Sequence, residues 1–355
     1  MTLAAASVLA LARAEIRALK PYAHASWAPT LTRMHANELP WPTHDGAELN
    51  RYPEPQPAEL LTALAKYLAV EPAQVLATHG SDEAIDLITR VFCRAGKDAV
   101  TITPPTFGMF SVAAGVQGAA VVEAPLLRDA DFALDTAAVI RAIDDRVKII
   151  WLCSPNNPTG GSLKRVDVEQ IVLAARDRSL IVIDEAYAEF SAQPSLLEML
   201  PSQPHLIVLR TLSKAHGLAG ARLGAAVAHP EIITLLRKIV LPYNLSRDSI
   251  AAALLALAPA AIANTRARVA KLVAARESLA RDFVGSPLIE KVWASDANFL
   301  LLRCRPDAGL FDLWVRAGLL VRDFRKTPGL EHCLRVTIGT DEQNAQLRSV
   351  LGLKS

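Results

Sequence analysis

Through the middle of the chain, stretches of helical period alternate with short runs of strand-forming residues, and few architectures accommodate that order. The runs are Ala99 to Thr103, Ala119 to Val122, Val147 to Cys153, Leu180 to Ile183, Leu206 to Leu209 and Leu223 to Ala228. Such alternation predicts an α/β fold. Most of the runs are continuously apolar rather than apolar at every second residue, as expected of strands covered by helices on both faces of a mostly parallel sheet. After Leu241-Pro242 the character changes to a long helical stretch, Arg247 to Phe283, and then to strand-like Asn298 to Arg303, Leu319 to Phe324 and Cys333 to Ile338. This predicts a second, smaller α+β domain. The segment from Pro40 to Pro57 also holds Pro42, Pro53 and Pro55, and the fixed φ and missing N–H of proline predict an extended arm there. The expected division is an N-terminal helix and arm, 1–45, belonging with the small domain; a large domain, 46–244; and the small C-terminal domain, 245–355.

Charge and composition narrow the function classes. The 355 residues include 38 Lys and Arg against 36 Asp and Glu, a net charge of +2, without a long run of one sign. The electrostatic footprint of a nucleic-acid binder is missing. Cys93, Cys153, Cys304 and Cys333 are far apart, with neither a CxxC pair nor zinc-finger spacing. Neither a metal nor a disulfide framework is expected, and a reducing cytoplasm fits best. Thr2 to Ala14 is Ala/Leu-rich and ends in a small-x-small stretch, but no Lys or Arg precedes Arg13, and Ile16 and Leu19 continue an apolar face. It reads as a first helix rather than a secretory leader. The Ala-rich run Ile250 to Ala263 is broken by Pro259 and too short to span a bilayer, so no transmembrane segment is expected.

In an open parallel sheet, ligands sit beyond the carboxyl ends of the strands. Three predicted strands end in conspicuous polar residues: one runs into Ser154-Pro155-Asn156-Asn157-Pro158-Thr159-Gly160, the next into Asp184-Glu185-Ala186-Tyr187, and the third into Arg210-Thr211-Leu212-Ser213-Lys214. An Asn, an Asp with a Tyr three residues later, and a Ser-Lys pair can therefore converge on one crevice. Gly80-Ser81-Asp82-Glu83 opens a helix with Ile85, Ile88 and Phe92 on one side, and the N–H groups of such a start cradle phosphate. Taken singly, each feature has an ordinary structural alternative: a helix cap for Asp184, a turn residue for Asn157, a solvated surface cation for Lys214.

SPNNPTG at Ser154 to Gly160, Asp184 with Tyr187, and Thr211-x-Ser213-Lys214 followed by Arg222 resemble the fold-type I aminotransferases that use pyridoxal 5′-phosphate (PLP). Asn50-Arg51-Tyr52-Pro53-Glu54-Pro55-Gln56, Gly80 to Asp86, Pro105-Thr106-Phe107-Gly108-Met109 and Asp184-Glu185-Ala186-Tyr187-x-Glu189-Phe190 sharpen the likeness to the histidinol-phosphate aminotransferase family, from near Tyr22 to Gly339. The resemblance implies a large domain built on a mostly parallel sheet flanked by helices, plus a smaller α+β domain. By the same resemblance, Lys214 carries the cofactor covalently and moves the substrate proton, Asp184 pairs with the ring nitrogen, and Tyr187 and Asn157 hold the phenolic oxygen. Phe107, where the family commonly has Tyr, stacks on the ring. Ser213, Arg222 and the N–H groups of Ser81 and Asp82 meet the phosphate, joined by Tyr52 of a second subunit in a homodimer with shared sites. Arg322 and Arg335 bind the substrate's phosphate, and Arg335 the α-carboxylate of glutamate; Tyr22, Tyr243 and Asn157 also belong to the substrate-binding set.

The implied reaction is amino transfer between L-histidinol phosphate and 2-oxoglutarate, a step of histidine biosynthesis. A broad aromatic aminotransferase and a PLP-dependent phosphothreonine decarboxylase remain as alternatives, because paired arginines accept a phosphate or a carboxylate equally well. His216 departs from the family, in which an aromatic follows Ser-Lys-Ala, and is given no catalytic role. His35 and Leu39 depart from the usual Asn-rich arm.

Overall fold

The computed structural model describes residues 8–24, 28, 30–44 and 48–353. Its strands are β1 (Val75–Thr78), β2 (Ala99–Ile102), β3 (Ala120–Glu123), β4 (Val147–Cys153), β5 (Leu180–Asp184), β6 (Leu206–Thr211), β7 (Gly224–Ala228), β8 (Ile289–Val292), β9 (Phe299–Cys304), β10 (Arg322–Asp323) and β11 (Cys333–Thr337). The first seven form one sheet in the order β1-β7-β6-β5-β4-β2-β3. Strands β2 to β6 are parallel, and β7 is antiparallel to both β6 and β1, so β1 runs with the parallel set. Every one of those parallel strands therefore delivers its carboxyl end to the same edge of the sheet.

The helices used below are α1 (Ala58–Leu68), α2 (Gly80–Phe92), α3 (Met109–Gln117), α4 (Thr136–Arg141), α5 (Arg165–Ala175), α6 (Pro230–Arg237), α7 (Arg247–Ala256), α8 (Pro259–Val284), α9 (Leu310–Arg316) and α10 (Asp341–Val350). The unbroken apolar runs are explained by the two layers they feed, since successive strand side chains point to opposite faces. From β4, Ile149, Trp151 and Cys153 join Ile85, Ile88 and Phe92 of α2. Ile150 and Leu152 join Val168, Ile171 and Val172 of α5 on the other side. Trp151 stacks on Phe110 of α3 with 5.0 Å between ring centroids.

The second sheet is antiparallel, in the order β10-β11-β9-β8. Leu300, Leu302, Leu334 and Val336 on one face pack against Leu279 and Phe283 of α8, Trp314 of α9 and Leu347 of α10. Two strands, β1 and β8, were not expected from the sequence, and the expected strand Leu319 to Phe324 contracts to β10. The long helical stretch divides into α7 and α8, bent by 74° at the break before Pro259. No single helix among the described residues is long and apolar enough to cross a membrane.

The N-terminal segment corrects one expectation. Residues 8–11 are helical, and after a break a short helix covers Ala14–Ala18. Val8 and Ala12 lie in the α2 core cluster, and the Arg13 N–H donates to the Val91 carbonyl at 3.1 Å. This segment packs on the large sheet's helical layer, not with the small sheet, because its apolar face meets α2. Thr2 to Ser7 of the expected helix lie outside the described residues. Among its described residues the arm has no regular element beyond a single 3-10 turn at Glu48–Asn50. It is tied instead by a buried Glu38 carboxylate, which accepts from Arg33 at 2.7 Å, Arg51 at 3.0 Å and the Tyr52 N–H at 2.7 Å.

Candidate active site

At the shared carboxyl edge, β1 turns through His79 into α2, β4 ends at Cys153, β5 at Asp184 and β6 at Thr211. A cavity of about 270 Å³ opens there, and Asn157, Asp184, Tyr187 and Lys214 all line it. The register explains the convergence: Cys153 lies opposite Asp184, so the β4 and β5 loops leave the sheet side by side. The polar ends that were separate in the sequence thus meet where an open α/β sheet holds its ligands.

Asp184 is 2% exposed, and its Oδ1 accepts the Ala186 N–H at 3.0 Å. Burial pushes its carboxyl up to about 7, although that N–H and the Lys214 ammonium pull the other way. Burial, with the nearby Arg335 guanidinium, holds Lys214 below the ordinary lysine range. The Lys214 Nζ sits 5.5 Å from the Tyr187 ring centroid, and burial raises the Tyr187 phenol above its usual value. The cavity thus holds an amine biased toward its neutral form and a carboxyl that lacks a full counter-charge.

One end of the cavity is built for an anion. Ser81 lies in the first turn of α2, whose first N–H groups have no partner within the helix. Arg222 reaches the Ser213 hydroxyl at 3.4 Å and the Asp82 carboxylate at 3.1 Å. A Cβ at Gly224 would lie 2.7 Å from both Gly80 C and Ser81 N, so the missing side chain lets β7 bring Arg222 and Ser213 against the start of α2. Ser81, Asp82, Ser213 and Arg222 all line the same cavity.

Two further expected residues arrive from different directions. Phe107 lines the cavity and meets Phe110 edge-on at 5.7 Å. Arg335 enters from β11 of the small sheet, donates to Asn157 Oδ1, and lies over the Phe299 ring at 4.9 Å. Burial lowers its guanidinium pKa. The remaining expected residues are not brought to the wall by this chain. Arg322 pairs in register with Arg335 but is exposed, its guanidinium 5.6 Å from the Phe324 ring centroid. Tyr22, His24, Tyr243 and Tyr52 instead form a file of ring contacts, with centroids 5.5, 5.5 and 4.5 Å apart. Tyr22 is 68% and Tyr52 49% exposed. Cys153, Thr211, Ala186 and Ala219 also line the cavity without having been singled out. For Cys153 and Thr211 the available signal was their position as the last residues of β4 and β6, the strands on either side of β5.

The fold and this site define a class: the chain belongs to the aminotransferase class I and II family, which it matches over residues 22–351. Among individual relatives, it is 41% identical to the histidinol-phosphate aminotransferase of Stenotrophomonas maltophilia, over 98% of this chain and 97% of that protein. It is also 41% identical to that of Xylella fastidiosa, over 97% and 96%. A solved histidinol-phosphate aminotransferase from Sinorhizobium meliloti, in complex with pyridoxal-5′-phosphate, superposes with a TM-score of 0.75 at 27% identity, covering 85% of this chain and 82% of that one.

Proposed function

We propose that this chain transfers the amino group of L-histidinol phosphate to 2-oxoglutarate, giving imidazole-acetol phosphate and L-glutamate, with PLP as cofactor. The chain is a PLP-dependent aminotransferase of fold type I. The substrate follows from near full-length identity to histidinol-phosphate aminotransferases. The observation that carries the site is the single cavity in which Lys214, Asp184, Tyr187 and Asn157 stand at one side and Ser81, Ser213 and Arg222 at an anion-binding end.

The residues fit the cofactor. The α2 start, kept open by Gly224, with Arg222 and Ser213, would hold its phosphate. The buried Asp184 carboxyl would face a protonated ring nitrogen, which supplies the counter-charge that burial otherwise denies it. Tyr187 and Asn157 would hold the phenolic oxygen, and Phe107 the ring face. When bound, the cofactor supplies an electron sink for the carbanion left by removal of the substrate's Cα proton. Lys214 would take that proton at Cα, and its lowered pKa keeps a larger share of the amine neutral and able to do so. Arg335 would hold the anionic group of either substrate, phosphate in one half-reaction and carboxylate in the other. Tyr22, Tyr243 and Arg322 would complete the substrate pocket.

The same reading makes the active unit a homodimer in which Tyr52 reaches the partner's cofactor phosphate. It supports a division into a large domain, 46–244, and a small domain, 245–355, and a cytoplasmic location in keeping with four unpaired, buried cysteines. The test is a half-reaction on purified holoenzyme with L-histidinol phosphate, phenylalanine and phosphothreonine in parallel, following the absorbance of the lysine-bound cofactor. Histidinol phosphate should discharge it fastest; a faster reaction with phenylalanine, or carbon dioxide release from phosphothreonine, would replace the assignment.

A further inference from the structure

A second cavity, of about 610 Å³, borders two of the segments that build the catalytic one and is closed by α1 and α8. Tyr187 and Lys214 line the first, whereas Glu189, Arg210 and His216, their near neighbours in sequence, line the second together with Tyr67. A buried hydrogen-bonded chain forms its floor. Arg210 donates to Glu189 at 2.5 Å and to Glu185 at 3.2 Å. The Tyr67 hydroxyl donates to Glu189 Oε1 at 3.1 Å and lies 3.0 Å from His216 Nε2.

The proton inventory fixes the tautomer. An ionised Glu189 can only accept, so the single Tyr67 proton points to it, and the bond to His216 requires that Nε2 carry the hydrogen. His216 Nδ1 is then an acceptor when the ring is neutral, and burial favours the neutral ring. His216 Nδ1, Glu189 Oε2 and Arg210 Nε are all buried without a hydrogen-bond partner. Two acceptors and one donor are thus left unmatched in the floor residues, and unmatched buried polar groups are costly.

Charge is distributed unevenly across the cavity. At the floor, Glu189 shares the Arg210 guanidinium with Glu185, which stands behind the cavity wall, and Glu189 keeps its Oε2 unpartnered. On the exposed side, Glu198 is already paired with Arg165 at 2.9 Å, while Arg266 is exposed and has no ion-pair partner among the described residues. Leu68, Val70, Leu200 and Ile262 give the rest of the wall its apolar surface. Unpartnered acceptors at the floor, an apolar wall and an exposed guanidinium complement a molecule that carries an amine, an apolar body and an anion.

We propose that this cavity is a second small-molecule site that takes a zwitterionic amine, its nitrogen donating to Glu189 and His216, its apolar body against Leu68 and Ile262, and its carboxylate at Arg266. The test is calorimetric titration of the holoenzyme with three probes of one shape, 4-(aminomethyl)benzoate, benzylamine and benzoate. The zwitterion should bind best, at least about tenfold tighter than benzoate, the scale of a charge-assisted hydrogen bond. Ala270→Trp, on the exposed side of the cavity wall and away from the buried network, should abolish binding, and His216→Phe should weaken it about tenfold. Equal affinity for the three probes, binding that survives Ala270→Trp, or no heat from the zwitterion at millimolar concentration each overturns the site. The readout is heat rather than turnover, so it fails or succeeds independently of the aminotransferase reading.

Discussion

Asp184 keeps its proton up to about pH 7 because burial strips water from its carboxylate, whereas its ordinary value is 3.8. As pH rises through that window the unfolded chain loses a proton that the folded, cofactor-free protein retains, so stability falls across it and levels off above. Asp184→Asn preserves an acceptor for the Ala186 N–H and removes the titration. Without cofactor, the variant should unfold at higher urea than the parent at about pH 8, by up to a few kcal/mol at roughly 1.4 kcal/mol per unit, with the gap closing near pH 4. With PLP bound the order should invert, because the ring nitrogen gives the native carboxylate its counter-charge. Lys214 is tested by borohydride reduction and peptide mapping, which should label that residue; Lys214→Ala should still bind cofactor while losing turnover by about a thousandfold or more. Residues of this kind were legible because their motifs are short and local. Tyr22, Tyr52, Tyr243 and Arg322 came from resemblance alone, and nothing in their spacing says what they touch. The Glu189–Arg210–His216 floor was invisible for a related reason: Glu189 follows β5 while Arg210 is in β6 and His216 in the loop after it, and only folding brings Tyr67 between Glu189 and His216.

Gly224 shows what an element contributes beyond its side chains. It lies opposite both Thr78 and Thr211 in the pairing of β7 with β1 and β6, and a Cβ there would also come within 2.9 Å of the Arg210 carbonyl. Gly224→Val should push the start of α2 away from Ser213 and Arg222. Overpacking of this kind costs about 1–3 kcal/mol, and PLP should bind at least about tenfold more weakly by equilibrium dialysis. Gly220→Ala, where a Cβ meets nothing within 4 Å, should change neither affinity nor stability. The strands with continuous apolar runs were readable because two helical layers demand such runs. Strand β1 was not: Val75-Leu76-Ala77-Thr78 is short, follows Pro72, and owes its place to antiparallel pairing with a strand far along the chain. Strand β8 carries Glu290 and Lys291 in its middle, a pattern that hides a half-exposed edge. The break between α7 and α8 was foreshadowed by Pro259, which suits a helix's first turn and not its interior.

For the whole molecule, the arm decides whether sites are shared. Glu38 ties Arg33, Arg51 and the Tyr52 backbone together, so Tyr52 is presented on a braced loop while its ring rests on Tyr243. Mixing Tyr52→Ala with Lys214→Ala protein and allowing exchange should give hybrids with one doubly defective and one intact site, raising activity above that of the unmixed parents. No recovery despite demonstrated exchange would mean that the arm serves its own subunit. The two sheets contribute unequally to the cavity: among the described residues, Arg335 of β11 is the one lining residue from the small sheet, and the rest come from the large sheet and its loops. On the proposed function, the residues that would grip the cofactor come from the large sheet and its loops, while Arg335, which would hold the substrate's anion, comes from the small one. If so, randomising positions around Arg335 on β9 and β11 should yield variants with altered amino donors, most of which keep their cofactor, so that inherited chemistry and acquired selectivity would change at separate rates.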